Sequence, residues 1–311
     1  MCHICQNSNI FTVNAKQDGY DPTRTTVLRN MFVNRMNVRF NKFAREVRSE
    51  IESGNILREG RISLYQGTTP NRFPIDETKV TAFMQWLQLM IDRELLTVGN
   101  YPQLGRALHD RWTDMYIEDS YKRGVIRARM EMQKAGMKVD SIEKSGGIQA
   151  VMGTPFHMDR VGILFIRAFE ELKGVTSQMS TQISRVLAEG MMNGDNPRVI
   201  ARKLNYVITG AGQDLGVTDS LGRFIPGKRR AQIIARTEII RAHHRAMIQE
   251  YRNWGLAGVY VQAEFRTAGD ERVCSECQSY HGELFSLDEA ENMIPVHPQC
   301  RCIVLPYEPI Y

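Results

Sequence analysis

The sequence predicts a mainly α, α+β chain, with a helical N-terminal half and a helical second half that ends in a small β-containing module. Three observations carry this. Apolar residues recur at helical spacing through most of residues 23–254, as at Leu28, Met31/Phe32, Met36, Val38, Phe40, Phe43, Val47 and Ile51. After Gly255 the pattern changes to strand-like runs, residues 259–266 and 302–306. Four of the six cysteines then crowd into residues 274–302.

Element by element, residues 1–20 have no periodicity and read as an extended arm. A first helix follows Asp21-Pro22-Thr23 and ends near Gly54. Residues 61–76, with Pro70 and Pro74, read as a loop or short strand pair. Asp76 is placed to cap a second helix over 77–97, and a third is expected over 104–134, its Trp112 and Tyr116 in the core. Gly136, Ser145-Gly146-Gly147 and Gly153-Thr154-Pro155 mark a boundary. Helices resume over 158–174, 177–194 and 197–204, the last announced by Asn196 before Pro197. A glycine-rich loop is expected over 209–227. A strongly patterned helix over 228–254 then carries Ile233, Thr237, Ile240, His244, Met247 and Tyr251 on one stripe. The implied organisation is an arm (1–20), a basic helical docking domain (21–155) and a C-terminal domain (156–311) with a Cys/His module at 267–306.

Composition narrows the class. The chain has 311 residues, and 42% apolar content is enough for a buried core, while 24% charged residues argue against wholesale disorder. No apolar run approaches the ~18–20 residues of a membrane span. The first residues lack the basic start and apolar stretch of a secretion signal, so the expectation is a protein neither exported nor membrane-associated. A net charge of +5 is unevenly spread. The first helix holds Arg24, Arg29, Arg35, Arg39, Lys42, Arg45 and Arg48, either as a solvated face or as a contact for nucleic acid or an acidic protein. Lys228, Arg229, Arg230, Arg241 and Arg245 give the later helix a basic surface for a partner or for double-stranded DNA.

The cysteine cluster is the strongest chemical signal. Cys274-Ser-Glu-Cys277 presents two sulfurs from one turn, and His297-Pro-Gln-Cys300-Arg-Cys302 follows twenty residues later. That donor set suits a structural Zn²⁺, which takes four tetrahedral S/N ligands and would brace a loop too small to hold itself by burial. Two thiol pairs without metal are the alternative. Cys300 and Cys302 alternate on an expected strand and so point to opposite faces, leaving one of them as the fourth ligand. Cys2 and Cys5 repeat the spacing on the arm, as a chance pair or half of a further site.

The series Thr267-Ala-Gly-Asp270-Glu-Arg272-Val-Cys274-Ser-Glu-Cys277, Gly282-Glu-Leu-Phe285 and Pro295-Val-His297-Pro-Gln-Cys300-Arg-Cys302 resembles the C-terminal signature of tailed-phage head morphogenesis proteins of the Mu F-like and SPP1 minor-head-protein type. The helix bearing Ile234-Ala-Arg236-Thr237-Glu238 and the stretch Asp195-Asn-Pro197-Arg198 to Arg202-Lys-Leu match as well. The resemblance covers about residues 155–306. It implies a non-catalytic minor capsid component that associates with the portal protein, meets major capsid or scaffold proteins and packaged DNA, and works in the virion head near the portal vertex after assembly in the host cytoplasm. Arg236, Thr237, Glu238 and Asp270 are then expected to be structural, tying the helix to the cysteine module.

Two rival classes remain. A phage-associated enzyme, an HNH-like nuclease or an ADP-ribosyltransferase-like protein, would need residues the sequence does not gather: beside the cysteines only His281 is uncommitted. The other rival is a non-viral, zinc-containing nucleic-acid-binding protein. The expectation is no enzyme and no catalytic residue.

Overall fold

The structure is a computed structural model that describes residues 21–53, 77–97, 111–212 and 224–309. The expected arm with Cys2 and Cys5, the 61–76 segment, residues 104–110 of the third helix and most of the 209–227 loop lie outside the described residues. The described elements are α1 (Thr26–Ser53), α2 (Glu77–Glu94), α3 (Asp114–Lys134), α4 (Ile148–Met152), α5 (Pro155–Met192), α6 (Pro197–Thr209), α7 (Gly227–Leu256), β1 (Gln262–Arg266), α8 (Ser275–Ser279), β2 (Leu284–Phe285), α9 (Leu287–Glu291) and β3 (Ile303–Tyr307). The mainly helical class with a small β module is borne out.

Several local expectations change. The pair of helices over 158–194 is one 38-residue helix, α5. Val161, Leu164, Phe165, Ala168, Leu172, Val175, Met179, Ile183, Leu187 and Met191 form one uninterrupted buried stripe along it. That burial outweighs the ~1 kcal/mol an internal glycine such as Gly174 costs. α6 extends to Thr209. Asn196 caps it by accepting from the Val199 N–H at 3.0 Å, and Gly210 ends it at φ 74°, where a Cβ would meet Pro226 Cγ at 2.6 Å.

The chain divides into two compact units, each assembled from separate stretches. Unit 2 comprises residues 31–115 and 165–235. Its core includes Phe40, Phe43, Phe83, Leu87 and Trp112. The buried Trp112 indole donates to the Leu95 carbonyl at 2.9 Å, packs edge-on to Phe32 and lies under the Arg39 guanidinium. Trp112 and Tyr116 are both buried, as expected of core residues.

Unit 1 comprises residues 1–30, 116–164 and 236–311. Its antiparallel sheet has the order β2-β1-β3, with Ala263 opposite Phe285 and Pro306, and Phe265 opposite Val304. Ala263, Phe265, Ile303 and Val304 share one core with Met132, Ile240, Met247 and Tyr251 from the helices, and with Cys277, Cys300 and Cys302. The cysteine module is thus part of a hydrophobic core. Among the described residues, no helix is long and apolar enough to cross a membrane.

Candidate metal centre

The first half of the site is built by a helix start. Cys274 sits at the N-cap of α8 with extended backbone, and the Cys277 N–H donates to Cys274 Sγ at 3.3 Å. This hydrogen bond lowers the Cys274 thiol below its ordinary pKa and favours the thiolate, the form that ligates metal. Cys277, one turn on, is buried.

A tight turn builds the second half. The Cys300 N–H donates to the His297 carbonyl at 3.1 Å, with Pro298 and Gln299 between them. Gln299 has φ 64°, which the third position of a type II turn requires and which a side chain resists. Two residues of α7 hold it there. Thr237 Oγ1 accepts from the Gln299 N–H at 3.2 Å, and Arg236 Nη1 donates to Gln299 Oε1 at 2.7 Å. Arg236 and Thr237, singled out by their pattern in the sequence, therefore grip the ligand turn.

The two halves meet around the buried Cys277. Cys274, Cys277 and His297 bring their ligand atoms within 4.8 Å of one another, and Cys277, Cys300 and Cys302 do the same. The expectation that Cys300 and Cys302 diverge is corrected. β3 begins only at Ile303, so neither cysteine lies on the strand, and the irregular backbone turns both thiols toward Cys277. Cys302 donates to Cys300; the Cys300 thiol is lowered to about 5 by this bond, while Cys302 is raised. Burial, with Cys300 beside it, pushes Cys277 up to about 12. His297 Nδ1 lies 2.9 Å from the Pro298 carbonyl, a bond that leaves Nε2 as the lone-pair nitrogen.

The donor set fits a thiophilic ion. Metal–sulfur bonds of ~2.3 Å in a tetrahedron put sulfurs about 3.8 Å apart, inside the 4.8 Å that bounds each group of three donors. The cluster can hold a metal. The five donors form two groups of three that share Cys277.

Asp270 joins the halves a second time. Its carboxylate takes both Nη atoms of Arg301, the residue between Cys300 and Cys302, at 2.6 and 2.7 Å, and it also pairs with Arg272. The Arg301 hydrogen bonds hold the Asp270 carboxyl well below the usual range. Glu238 is buried and pairs with Arg241 at 3.2 Å. Of the basic residues on α7, Arg241 and Arg245 are committed within unit 1, Arg245 to Glu291 and Asn292. Among the described residues, Lys228, Arg229 and Arg230 meet the neutral amides of Asn41, Gln232 and Gln178, which do not cancel their charge. His281 accepts from Thr267 and takes no part in the thiol cluster.

Two supporting clusters have no signature in the sequence. Glu291, at the end of α9, receives Arg160, Arg245 and Arg252, and its neighbour Ala290 accepts from the buried His244 at 2.8 Å. The buried Glu250 receives Arg129, His157 and Trp254, and His157 is also bonded to Tyr121. Partners such as Arg129 and Glu250 are 121 residues apart, a distance no local pattern reports.

Residues 181–305 match the family described as Phage Mu protein F like protein. The match runs from within α5 to the middle of β3 and takes in every donor of the cluster. The resemblance read from the sequence is borne out over that segment. No curated protein and no solved structure matches the chain.

Proposed function

We infer from the Mu F-like segment that this chain is a minor head morphogenesis protein of a tailed phage, a structural component that associates with the portal protein and aids head assembly and DNA packaging or ejection. The observation that carries the reading is the coincidence of the family match with two groups of three thiol and imidazole donors that share Cys277. Zn²⁺ is the ion proposed there, drawn from Cys274, Cys277, His297, Cys300 and Cys302. Bound zinc supplies folding free energy to the module, and four protein ligands leave it no open coordination position for chemistry. The cluster is built into a core and clamped by Asp270, Arg236 and Thr237, which suits a brace and not a reaction centre.

Portal docking falls to α1. Its inner face is core, but Val27, Met31, Arg35, Val38 and Arg45 are exposed along its outer side, an apolar stripe edged with positive charge. Cross-linking mass spectrometry of purified virions tests the reading. Cross-links from α1 to the portal are expected, and Met31→Glu with Val38→Glu is expected to abolish them while leaving the fold intact. Absence of the protein from virions, or DNA cleavage with Mg²⁺ or Mn²⁺ or consumption of NAD by the purified protein, would overturn it.

A further inference from the structure

Unit 2 carries a concave surface made by α6 and the end of α1. Two adjacent depressions, of about 410 and 520 Å³, share Arg48 of α1 and Arg202 of α6 in their walls. The larger adds Arg198, Asn196 and Glu52; the smaller runs on past Asn205. All three arginines are exposed. Among the described residues, Glu52 is the one acidic residue lining either depression, and it pairs with Arg48 at 2.9 Å. Three positive charges against one negative leave a net of +2. Asp195, close in sequence to Arg198, is taken by Lys203 at 2.7 Å. Arg198 and Arg202 have no ion pair among the described residues.

Guanidinium groups facing one concavity repel one another, and the concave wall focuses their field. An anion relieves that repulsion, and the planar fork of arginine matches phosphate oxygens two at a time. Positions 198, 202 and 205 lie on one face of α6. From 198 to 205 the helix rises about 10 Å, the axial length of about three successive phosphates on one duplex strand. Among the described residues no aromatic side chain lines either depression, so they offer unpaired bases nothing to stack on. The described residues that line the larger depression are all polar and offer a docking peptide no apolar anchor.

We propose that Arg48, Arg198 and Arg202 form a binding site for the phosphate backbone of double-stranded DNA, read without regard to base sequence. The site shares no residue with the thiol cluster and does not rest on the head-protein reading, so either can fail alone. The test is fluorescence anisotropy of the full chain with a labelled random-sequence duplex over a salt series. Binding is expected, and the triple variant Arg48→Gln, Arg198→Gln, Arg202→Gln should weaken it at least tenfold. The slope of log affinity against log salt should also fall by about 2–3, because about three phosphate contacts are lost. All three side chains are exposed, and an unchanged thermal melt by circular dichroism will show that the variant folds. Unchanged affinity and slope in the triple variant would overturn the proposal. So would loss that follows Lys228→Gln, Arg229→Gln, Arg230→Gln instead, or a wild-type chain that binds polyglutamate and not duplex.

Discussion

Cys277 is the one thiol common to both groups of donors in the cysteine cluster, whereas His297 and Cys302 each belong to a single group. Four-coordination therefore makes Cys277 indispensable and leaves one other donor spare. Elemental analysis of purified protein should find about one Zn²⁺ per chain, Cys277→Ser should abolish it, and one of His297→Gln and Cys302→Ser should keep it. Retention of metal by Cys277→Ser would remove the basis for the assignment. Thr237 is the second residue whose role is geometric. Thr237→Val removes the acceptor that satisfies the Gln299 N–H and helps hold φ 64° there. A loss of about 1–2 kcal/mol and faster release of metal to a chelator are expected, and an unchanged release rate would show that the turn holds itself. The two half-sites were legible as residue types at metal-ligand spacing. The meeting of Cys300 with Cys302 was not, because it depends on where β3 begins, one residue later than the apolar pattern suggested. Glu250 and Glu291 were invisible for a different reason: their partners come from other helices, and buried ion pairs leave no periodic trace.

At the scale of elements, α7 shows why pattern reading recovers a helix and still misjudges its setting. The predicted stripe of Ile233, Thr237, Ile240, His244, Met247 and Tyr251 describes one face. From Glu238 to Glu250, however, Ile239, Ala242, His243, Ala246 and Glu250 on other faces are buried too. A helix buried nearly all round has little amphipathic contrast, so its sequence does not say which neighbour lies on which side. Small residues mark the closest approach. Gly124 of α3 faces α7 so tightly that a Cβ there would lie 2.3 Å from the His243 carbonyl oxygen and 2.7 Å from Ala246 Cβ. Gly124→Ala gains up to ~1 kcal/mol of helix propensity but must push back a backbone atom. Urea denaturation should show a net loss of about 2 kcal/mol, and a net gain would mean that the two helices separate freely. The short elements α4, α8, β2 and α9 escaped prediction because two to five residues are too few for periodicity to register. α9 still carries a capping box, Ser286 with Glu289, that a cap-directed reading could have found.

At the scale of the whole molecule, the buried histidines set the response to acid. Burial, with Arg127 close by, pulls His243 down to about 3, and burial pulls His244 down to about 4. An unfolded chain takes up protons on both near pH 6.5, whereas the folded chain refuses them, so lowering the pH favours unfolding. The stabilisation is complete above about 6.5 and is lost progressively toward 4 and 3. Glu250, its carboxylate pushed up by burial but held below the ordinary range by His157 and Arg129, adds its own loss only below the usual glutamate range, near 4.5. Between pH 6 and 5 each of the two histidines should add roughly 1 kcal/mol per pH unit to the slope, alongside Cys300, whose thiol is also held below its ordinary range. Urea denaturation at pH 7, 6 and 5 reads this slope directly. His244→Gln keeps an amide donor for the Ala290 carbonyl but cannot titrate, so it should lower the slope by roughly 1 kcal/mol per pH unit. Metal release in acid would steepen the curves of both proteins alike and would not produce that difference. A variant with the full wild-type slope would mean that His244 takes up its proton without unfolding the chain.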